Sequence, residues 1–359
     1  MRKNIKFFII CAVVAATGFV LTGMGIAMGG IVYGFGINAE GIKVYAPRLE
    51  QKNKESETTM CRLDEQSLQA FDRMEIDVEY ADIRVERTDS EQYTLSCNLS
   101  DEGRLQNEVK DGKLIVRHKD NAAFGTGYAD FMWFSVGNNS PVIKEYITIG
   151  LPKQADLTDV CLDTDSGDIT CENINTDSLS VRAEYGDVSL ANIEAKEMEI
   201  HLESGEMQME QVSGNTCSVE SEYGKAAFRQ VALSGDLLVT MESGNLEFYN
   251  TDARNLDLKN QYGTVSGRQT SFADISMNLE SGDCQMQDIL FDNCEIHSEY
   301  GDVELELQKD RREYAYALDT EYGNIKIDGQ KMEDTYVSLA ENQEHLIEIH
   351  CESGDIRIQ

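Results

Sequence analysis

The chain is short of proline and of basic residues. Its 359 residues include three prolines, at positions 47, 141 and 152, and none follows residue 152. Proline lacks the N–H that a strand donates, so its absence there is compatible with long uninterrupted strands. Lysine and arginine number 31 against 65 acidic residues, which gives a net charge of −34. This balance argues against a nucleic-acid partner, because such a partner requires a basic surface.

Motifs of the common enzyme classes are also missing. The sequence contains no G-x-S-x-G, no P-loop and no H-E-x-x-H, which carry nucleophilic, phosphate-binding and zinc chemistry. No C-x-x-C occurs either, which argues against a redox or zinc site. We therefore predict a protein that is not an enzyme and has no cofactor. A polysaccharide-acting β-helix enzyme is the alternative class.

Charge is absent from one long segment near the N-terminus. Residues Phe7 to Phe35 carry no charged side chain, and as a helix they would extend for about 43 Å, more than the roughly 30 Å hydrocarbon core of a membrane. No clear A-x-A cleavage site follows. We predict a transmembrane helix within residues 1–38, with Arg2, Lys3 and Lys6 in the cytoplasm. Residues 39–60 would form a flexible stalk and residues 61–359 an extracytoplasmic domain of a single-pass cell-membrane protein.

What the chain does contain is a repeat built on glycine. An acidic residue or Gln, then Ser or Tyr, then Gly recurs ten times, and successive glycines are mostly 19 or 20 residues apart. The glycines are Gly167, Gly186, Gly205, Gly224, Gly244, Gly263, Gly282, Gly301, Gly323 and Gly354. A fixed period of this length is typical of a solenoid, in which each unit buries its apolar face against its neighbours.

The apolar pattern shifts by one residue across each glycine. Met198, Ile200 and Leu202 alternate with polar residues before Gly205, and Met207 resumes the apolar set after it. A straight strand cannot make this shift, so the glycine marks a corner. The same parity predicts that the alternating Ser and Tyr residues point into the core. An exposed aromatic ladder for sugar stacking is the alternative, and it requires that parity to fail at the corner.

These features predict an all-β protein, a right-handed parallel β-helix or β-solenoid with repeats of 19–20 residues. One repeat per coil is the favoured geometry, and two repeats per coil is the alternative. Residues 151–359 hold the regular repeats, and residues 61–150 hold degenerate first coils with a cap or flap loop. The segment Glu79 to Ile83 resembles the repeat with Ala in place of Gly.

Acidic residues flank the glycines on both sides, as Glu184 and Asp187 flank Gly186. Stacked carboxylates repel one another, and calcium or another divalent ion would relieve this. The favoured interpretation is that they face solvent and that Asp after Gly caps the corner. We also expect His201, His297 and His350 to lie in non-neighbouring coils without a shared metal. A divalent-cation-binding surface protein remains an alternative function.

Cysteines and aromatic residues complete the prediction. The nine cysteines fall mostly on inward positions, so we expect buried, reduced thiols. Phe131, Trp133 and Phe134 cluster in the irregular segment 124–140, which includes the only Trp. They form either a hydrophobic cap over the solenoid or a contact with a partner or membrane surface.

The repeats D-S-G-D-I, E-Y-G-D-V and E-S-G-D-I, preceded by I-T-I-G-L-P and by an N-terminal apolar segment, resemble the bacterial putative-adhesin family of unknown function. That resemblance covers roughly residues 70–359. It implies a membrane-anchored β-helix of the bacterial envelope, adhesin-like or associated with envelope stress, that presents a surface to an envelope protein or an extracellular ligand. It implies no catalytic residue. Lys225, Asn245, Thr264 and Asn324 depart from the family pattern, because they stand where the motif has Asp.

Overall fold

A computed structural model describes residues 34–38, 41–45, 60–100, 105–119, 144–338 and 345–359. Near the N-terminus, β1 (Gly34–Asn38) and β2 (Gly41–Tyr45) form an antiparallel hairpin. Most of the predicted transmembrane segment lies outside the described residues, and its last residues are strand rather than helix. Within the described ranges, no helix is both long and apolar enough to cross a membrane.

The remaining described residues form one 24-stranded sheet. Its first part comprises β3 (Met60–Leu68), β4 (Arg73–Val78), β5 (Asp82–Arg87), β6 (Tyr93–Ser100), β7 (Leu105–Lys110), β8 (Lys113–His118) and β9 (Tyr146–Leu151). The middle part comprises β10 (Asp159–Ser166), β11 (Ile169–Tyr185), β12 (Val188–Ser204), β13 (Met207–Tyr223), β14 (Ala226–Leu233), β15 (Asp236–Ser243), β16 (Leu246–Tyr262) and β17 (Val265–Ser281).

The last part comprises β18 (Cys284–Leu290), β19 (Asn293–Tyr300), β20 (Val303–Leu307), β21 (Tyr314–Tyr322), β22 (Ile325–Ile327), β23 (Gln330–Lys331), β24 (Thr335–Ser338), β25 (His345–Ser353) and β26 (Ile356–Ile358). A single turn of 3-10 helix, Arg311–Glu313, precedes β21. The prediction of an all-β protein is confirmed.

Each repeat makes one coil of a parallel solenoid. Ile169 pairs with Val188, and Val188 pairs with Met207, so neighbouring coils are offset by 19 residues. The strands of the regular repeats pair in parallel, whereas antiparallel pairs occur near the two ends of the stack. One repeat per coil is therefore correct, and the right hand of the coil stays a prediction.

The first coil of the repeat pattern pairs with coils that follow much later in the sequence. Strand β4 pairs with β10 and β5 pairs with β11, both at an offset of 86 residues. Ala81 consequently lies beside Gly167, in the position that glycine holds elsewhere. Strands β8 and β9 add one further layer on the other side of β4 and β5. The repeat thus begins 86 residues before its first full copy.

Near the C-terminus the coils do not stack in chain order. Strand β25 pairs in parallel with β19 on one side and with β21 on the other. Strand β26 lies in the same way between β20 and β22. The coil formed by residues 345–358 is therefore inserted between two coils that precede it in the sequence.

Two kinds of corner bend each coil. At the first, the repeat glycines from Gly186 onward adopt positive φ, as at Gly244, where φ is +146°, with Gly323 as the exception. An added Cβ at Gly244 would overlap the carbonyl oxygen of Gly224 in the next coil. The second corner comes six residues later, where a non-glycine residue adopts φ between 50° and 59°. These residues are Asn173, Asn192, Gln211, Gln230, Asn250, Gln269 and Asp288.

The core is a set of columns of stacked apolar side chains. Leu179, Met198 and Cys217 occupy one column and are all buried. Phe228 and Phe248 stack with ring centroids 5.1 Å apart. Eight cysteines, from Cys61 to Cys351, are unpaired in the described part of the chain, and all except Cys161 are buried. Burial raises the pKa of the Cys171 and Cys217 thiols to about 12, so these thiols are unreactive.

Candidate functional site

The tyrosines of the repeat are exposed, and the prediction that they point into the core is wrong. Between 56% and 77% of the surface of each is accessible at Tyr80, Tyr185, Tyr223, Tyr262, Tyr300 and Tyr322. The serines at the equivalent corners are partly exposed. The exposed aromatic ladder, which was the alternative, is what the structure shows.

The alternation of inward and outward side chains does not continue to Tyr185, contrary to what the sequence pattern predicts. Ala183 is the last buried residue before the corner. The chain then bends through Gly186, where φ is +147°, and this bend turns the Tyr185 side chain outward. Gly186 is partly exposed and lies against the adjacent coil, where an added Cβ would overlap the carbonyl oxygen of Gly167. The outward tyrosine therefore belongs to the corner itself, since Tyr80 is also exposed although Ala81 stands where the other corners have glycine.

Tyr and Ser alternate without exception along the stack of coils. The spatial order is Tyr80, Ser166, Tyr185, Ser204, Tyr223, Ser243, Tyr262, Ser281, Tyr300, Ser353 and Tyr322. We call these eleven residues the Tyr/Ser ladder. The alternation persists where chain order is broken, between Tyr80 and Ser166 and between Ser353 and Tyr322. Parallel stacking readily accommodates aromatic residues on adjacent strands, so packing alone does not require this pattern.

Small or polar side chains lie beneath the tyrosine corners. Asn260, Ser298 and Thr320 are buried two residues before a ladder Tyr. The Thr320 hydroxyl donates to the Gly354 carbonyl oxygen over 3.0 Å, and the Asn260 amide donates to the Gly263 carbonyl oxygen over 3.1 Å. These bonds satisfy corner carbonyl groups from inside and hold the backbone that presents the tyrosine.

A column of acidic side chains runs beside the ladder, one residue before each of its members. This outer acid column consists of Glu79, Asp165, Glu184, Glu203, Glu222, Glu242, Gln261, Glu280, Glu299, Glu352 and Glu321, with Gln261 as its one uncharged member. Partial burial, with the neighbouring charges of Asp165 and Glu203, raises the pKa of the Glu184 carboxyl. The column therefore presents closely spaced negative charge that a cationic partner would stabilise.

Acidic residues on the other side of the glycine have a structural role. Asp168 accepts a hydrogen bond from the backbone N–H of Asp187 over 3.0 Å, and Asp187 accepts one from the N–H of Glu206 over 2.8 Å. Asn245 accepts the same bond from the N–H of Thr264 over 3.0 Å. These side chains cap corners from coil to coil. Among the described residues no group of three His, Cys, Asp or Glu is placed to hold a metal ion.

Two histidines that were predicted to lie apart are neighbours. Inserted strand β25 places His350 beside His297, with ring centroids 6.2 Å apart. His350 lies 3.1 Å from the Asp319 carboxylate, and His297 lies 3.0 Å from that of Glu295. Both rings line a groove of about 410 Å³ beside the ladder. The sequence did not reveal this because the order of the coils is not the order of the chain.

A second surface lies after the glycine corner. Arg229, Tyr249 and Arg268 follow one another on adjacent coils and line a groove of about 500 Å³. Arg229 lies 3.5 Å from the Glu247 carboxylate. Tyr249 is an exposed tyrosine outside the ladder, which makes it a useful control position.

The aromatic residues Phe131, Trp133 and Phe134 lie outside the described residues. Their assignment as a cap or as a contact with a partner stays a prediction. The Tyr/Ser ladder, by contrast, could have been found from the sequence as the alternative to inward tyrosines. Its signal is the strict Tyr and Ser alternation itself, which a buried column would not need to maintain.

Stability is expected to rise as the pH falls from 7 to about 5 and to decrease below about 4. Burial raises the pKa of the Glu184 and Asp163 carboxyls, so the folded state takes up their protons before the unfolded chain does. Hydrogen bonds lower the pKa of Glu75, chiefly from Lys113, and of Asp355, chiefly from Asn324. The stabilisation that these two carboxylates give to the folded state is lost as the pH falls through their folded-state pKa values.

Melting temperatures across this pH range would test the expectation, with Glu184→Gln as the matched variant. Glu184→Gln should flatten the rise between pH 7 and 5 and leave the fall at lower pH intact. A melting temperature that decreases steadily from pH 7 downward would contradict it.

Comparisons with known proteins found a matching family model and similar solved structures. The family model described as Toastrack DUF4097 matches residues 71–248 and 212–359. A structure from Parabacteroides distasonis ATCC 8503, named as a putative lipid binding protein, is 13% identical, with 84% of this chain and 96% of that chain covered and a TM-score of 0.39. A structure from Clostridium sporogenes ATCC 15579, named as a putative cell adhesion protein, is 12% identical, with 82% and 97% covered and a TM-score of 0.20. No curated protein matches the chain.

Proposed function

Because the chain belongs to the Toastrack DUF4097 family, whose function is not established, we propose that it is a non-catalytic surface module of the bacterial envelope that binds an extended partner along the Tyr/Ser ladder. In this proposal the uncharged segment Phe7 to Phe35 anchors the chain in the cell membrane, and the solenoid is extracytoplasmic. The adhesion and lipid-binding names of the two similar structures are compatible with a binding role but do not identify the ligand.

The observation that carries the proposal is the unbroken alternation of the ladder. Six exposed tyrosines share one edge of the solenoid at every second coil. Exposed aromatic residues in a row usually mark a recognition surface, and tyrosine supplies a large contact area with little loss of side-chain entropy on binding. Coils lie about 4.8 Å apart, so eleven of them extend for about 48 Å. Only an extended partner would contact the whole row.

Replacing four ladder tyrosines by serine is expected to weaken binding of such a partner about tenfold or more. The variant combines Tyr185→Ser, Tyr223→Ser, Tyr262→Ser and Tyr300→Ser, and it should keep the stability of the fold because these side chains are exposed. Binding to the full chain in detergent would be measured for three probes: chitohexaose, cellohexaose and a proline-rich peptide containing lysine. Tyr249→Ser, away from the ladder, is the matched control and should bind like the unmodified protein.

The proposal fails if none of the three probes binds the unmodified protein. It fails equally if a probe binds the four-tyrosine variant and the unmodified protein with the same affinity. Circular dichroism of each variant would show that the strands are retained.

A further inference from the structure

The distance between successive ladder tyrosines indicates the repeat length that a partner bound along the ladder would need. Neighbouring coils are about 4.8 Å apart, and tyrosine occupies every second coil, so successive ladder tyrosines repeat at about 9.6 Å. A partly exposed serine, such as Ser204 or Ser243, lies between each pair in the regular repeats. The face is therefore a row of aromatic ribs separated by slots, each with a serine at its base.

A polyproline II helix has nearly the same repeat. It has three residues per turn and rises by 3.1 Å per residue, so the same face returns about every 9.3 Å. The mismatch is about 0.3 Å per turn and adds up to about 1.5 Å over the five tyrosine intervals. Aromatic-lined grooves are the surfaces that dock proline-rich segments, which lose little conformational entropy on binding.

The charge beside the ladder indicates what such a segment would carry between its prolines. The outer acid column places a carboxylate next to nearly every ladder residue, including Glu203, Glu222 and Glu242. In the described part of the chain, no ion pair neutralises these three carboxylates. Lysine or arginine side chains of a partner would form ion pairs with them, whereas an anionic polymer would be repelled.

We propose that the partner is a proline-rich segment containing lysine or arginine, bound as a polyproline II helix along the Tyr/Ser ladder. Its prolines enter the slots between successive tyrosines once per turn, and its basic side chains meet the outer acid column. This inference rests on the proposed function and specifies its ligand. A neutral glycan would use the aromatic ribs but would leave the acid column without ionic partners, which is why the peptide is favoured.

The test uses the full chain in detergent and the peptide (Pro-Pro-Lys)6, whose 18 residues extend for about 56 Å as a polyproline II helix, enough to cover the ladder. We expect (Pro-Pro-Glu)6 and the flexible (Gly-Ser-Lys)6 each to bind at least about tenfold more weakly. The four-tyrosine variant described above should lose the (Pro-Pro-Lys)6 complex to a similar extent. Raising the salt concentration should weaken binding because ion pairs at the surface are screened.

A variant with additional tyrosines between the ladder tyrosines tests whether binding depends on their spacing or only on the amount of aromatic surface. Ser204→Tyr combined with Ser243→Tyr adds aromatic surface at corners that hold Tyr on the adjacent coils, and it is expected to weaken (Pro-Pro-Lys)6 binding. Tighter binding to this variant, or equal binding of (Gly-Ser-Lys)6, would overturn the inference. If chitohexaose or cellohexaose binds in a ladder-dependent way and the peptide does not, the inference fails while the proposed function stands. If no probe shows ladder-dependent binding, both fail.

Discussion

Gly244→Ala is expected to lower the free energy of unfolding by about 2 to 6 kcal/mol, from backbone strain and overpacking together. At φ of +146° alanine is strained, and its Cβ would overlap the Gly224 carbonyl oxygen. That oxygen belongs to the same corner of the adjacent coil, and Gly263 lies against Gly244 in the same way. If the backbone moved to relieve this overlap, the coils on both sides would therefore be disturbed.

Gly329→Ala is the matched control for this substitution. Gly329 also has positive φ, +72°, but nothing lies within 4 Å of an added Cβ. Its cost should be about 1 kcal/mol, the cost of a left-handed alanine alone. Urea unfolding followed by circular dichroism would compare the two. Equal losses would show that close packing of the corners contributes nothing and would contradict the stacking described above.

Ile349→Asp is expected to destabilise two coils at once and to cost about 4 kcal/mol or more. Ile349 is buried in inserted strand β25, with Ile296 on one side and Leu318 on the other. Hydrogen exchange should therefore accelerate in both flanking strands, β19 and β21. The physical reason is that a carboxyl group in this column has no polar partner and removes apolar contacts from both neighbours.

Leu318→Asp provides the matched comparison, because Leu318 is buried in the same column but in the outer coil. It should accelerate exchange in β21 and β25 and spare β19. If the coils stacked in chain order, Leu318 would lie between the other two, and the two variants would exchange their patterns. Such an exchange of patterns would refute the inserted position of β25.

Periodicity predicted much of this fold because each repeat meets only its neighbours. The 19-residue interval between Gly186 and Gly205 is the same as the offset between paired strands, so coil length could be read directly. The second corner also had a signal, an Asn, Gln or Asp six residues after the glycine, as at Asn192. The alternation of apolar residues does not reveal this corner, because the residues with left-handed backbone there are polar.

The errors arose where geometry depends on more than one coil. Parity along a strand cannot show that the chain bends at Tyr185, where Gly186 lies against another coil. The neighbourhood of His297 and His350 depends on which coils are adjacent. The intervals of 22 and 31 residues before Gly323 and Gly354 indicated irregular coils but could not show their order.

The alternation of the ladder also bears on how such a chain can change length during evolution. Duplicating one repeat would place two tyrosines or two serines side by side, whereas duplicating two would preserve the pattern. Near the C-terminus, stacking in chain order would have brought Tyr300 next to Tyr322, and the inserted coil instead places Ser353 between them. A lineage selected for this spacing should therefore gain and lose coils in pairs, so that related chains of different length differ by about 38 residues at a time.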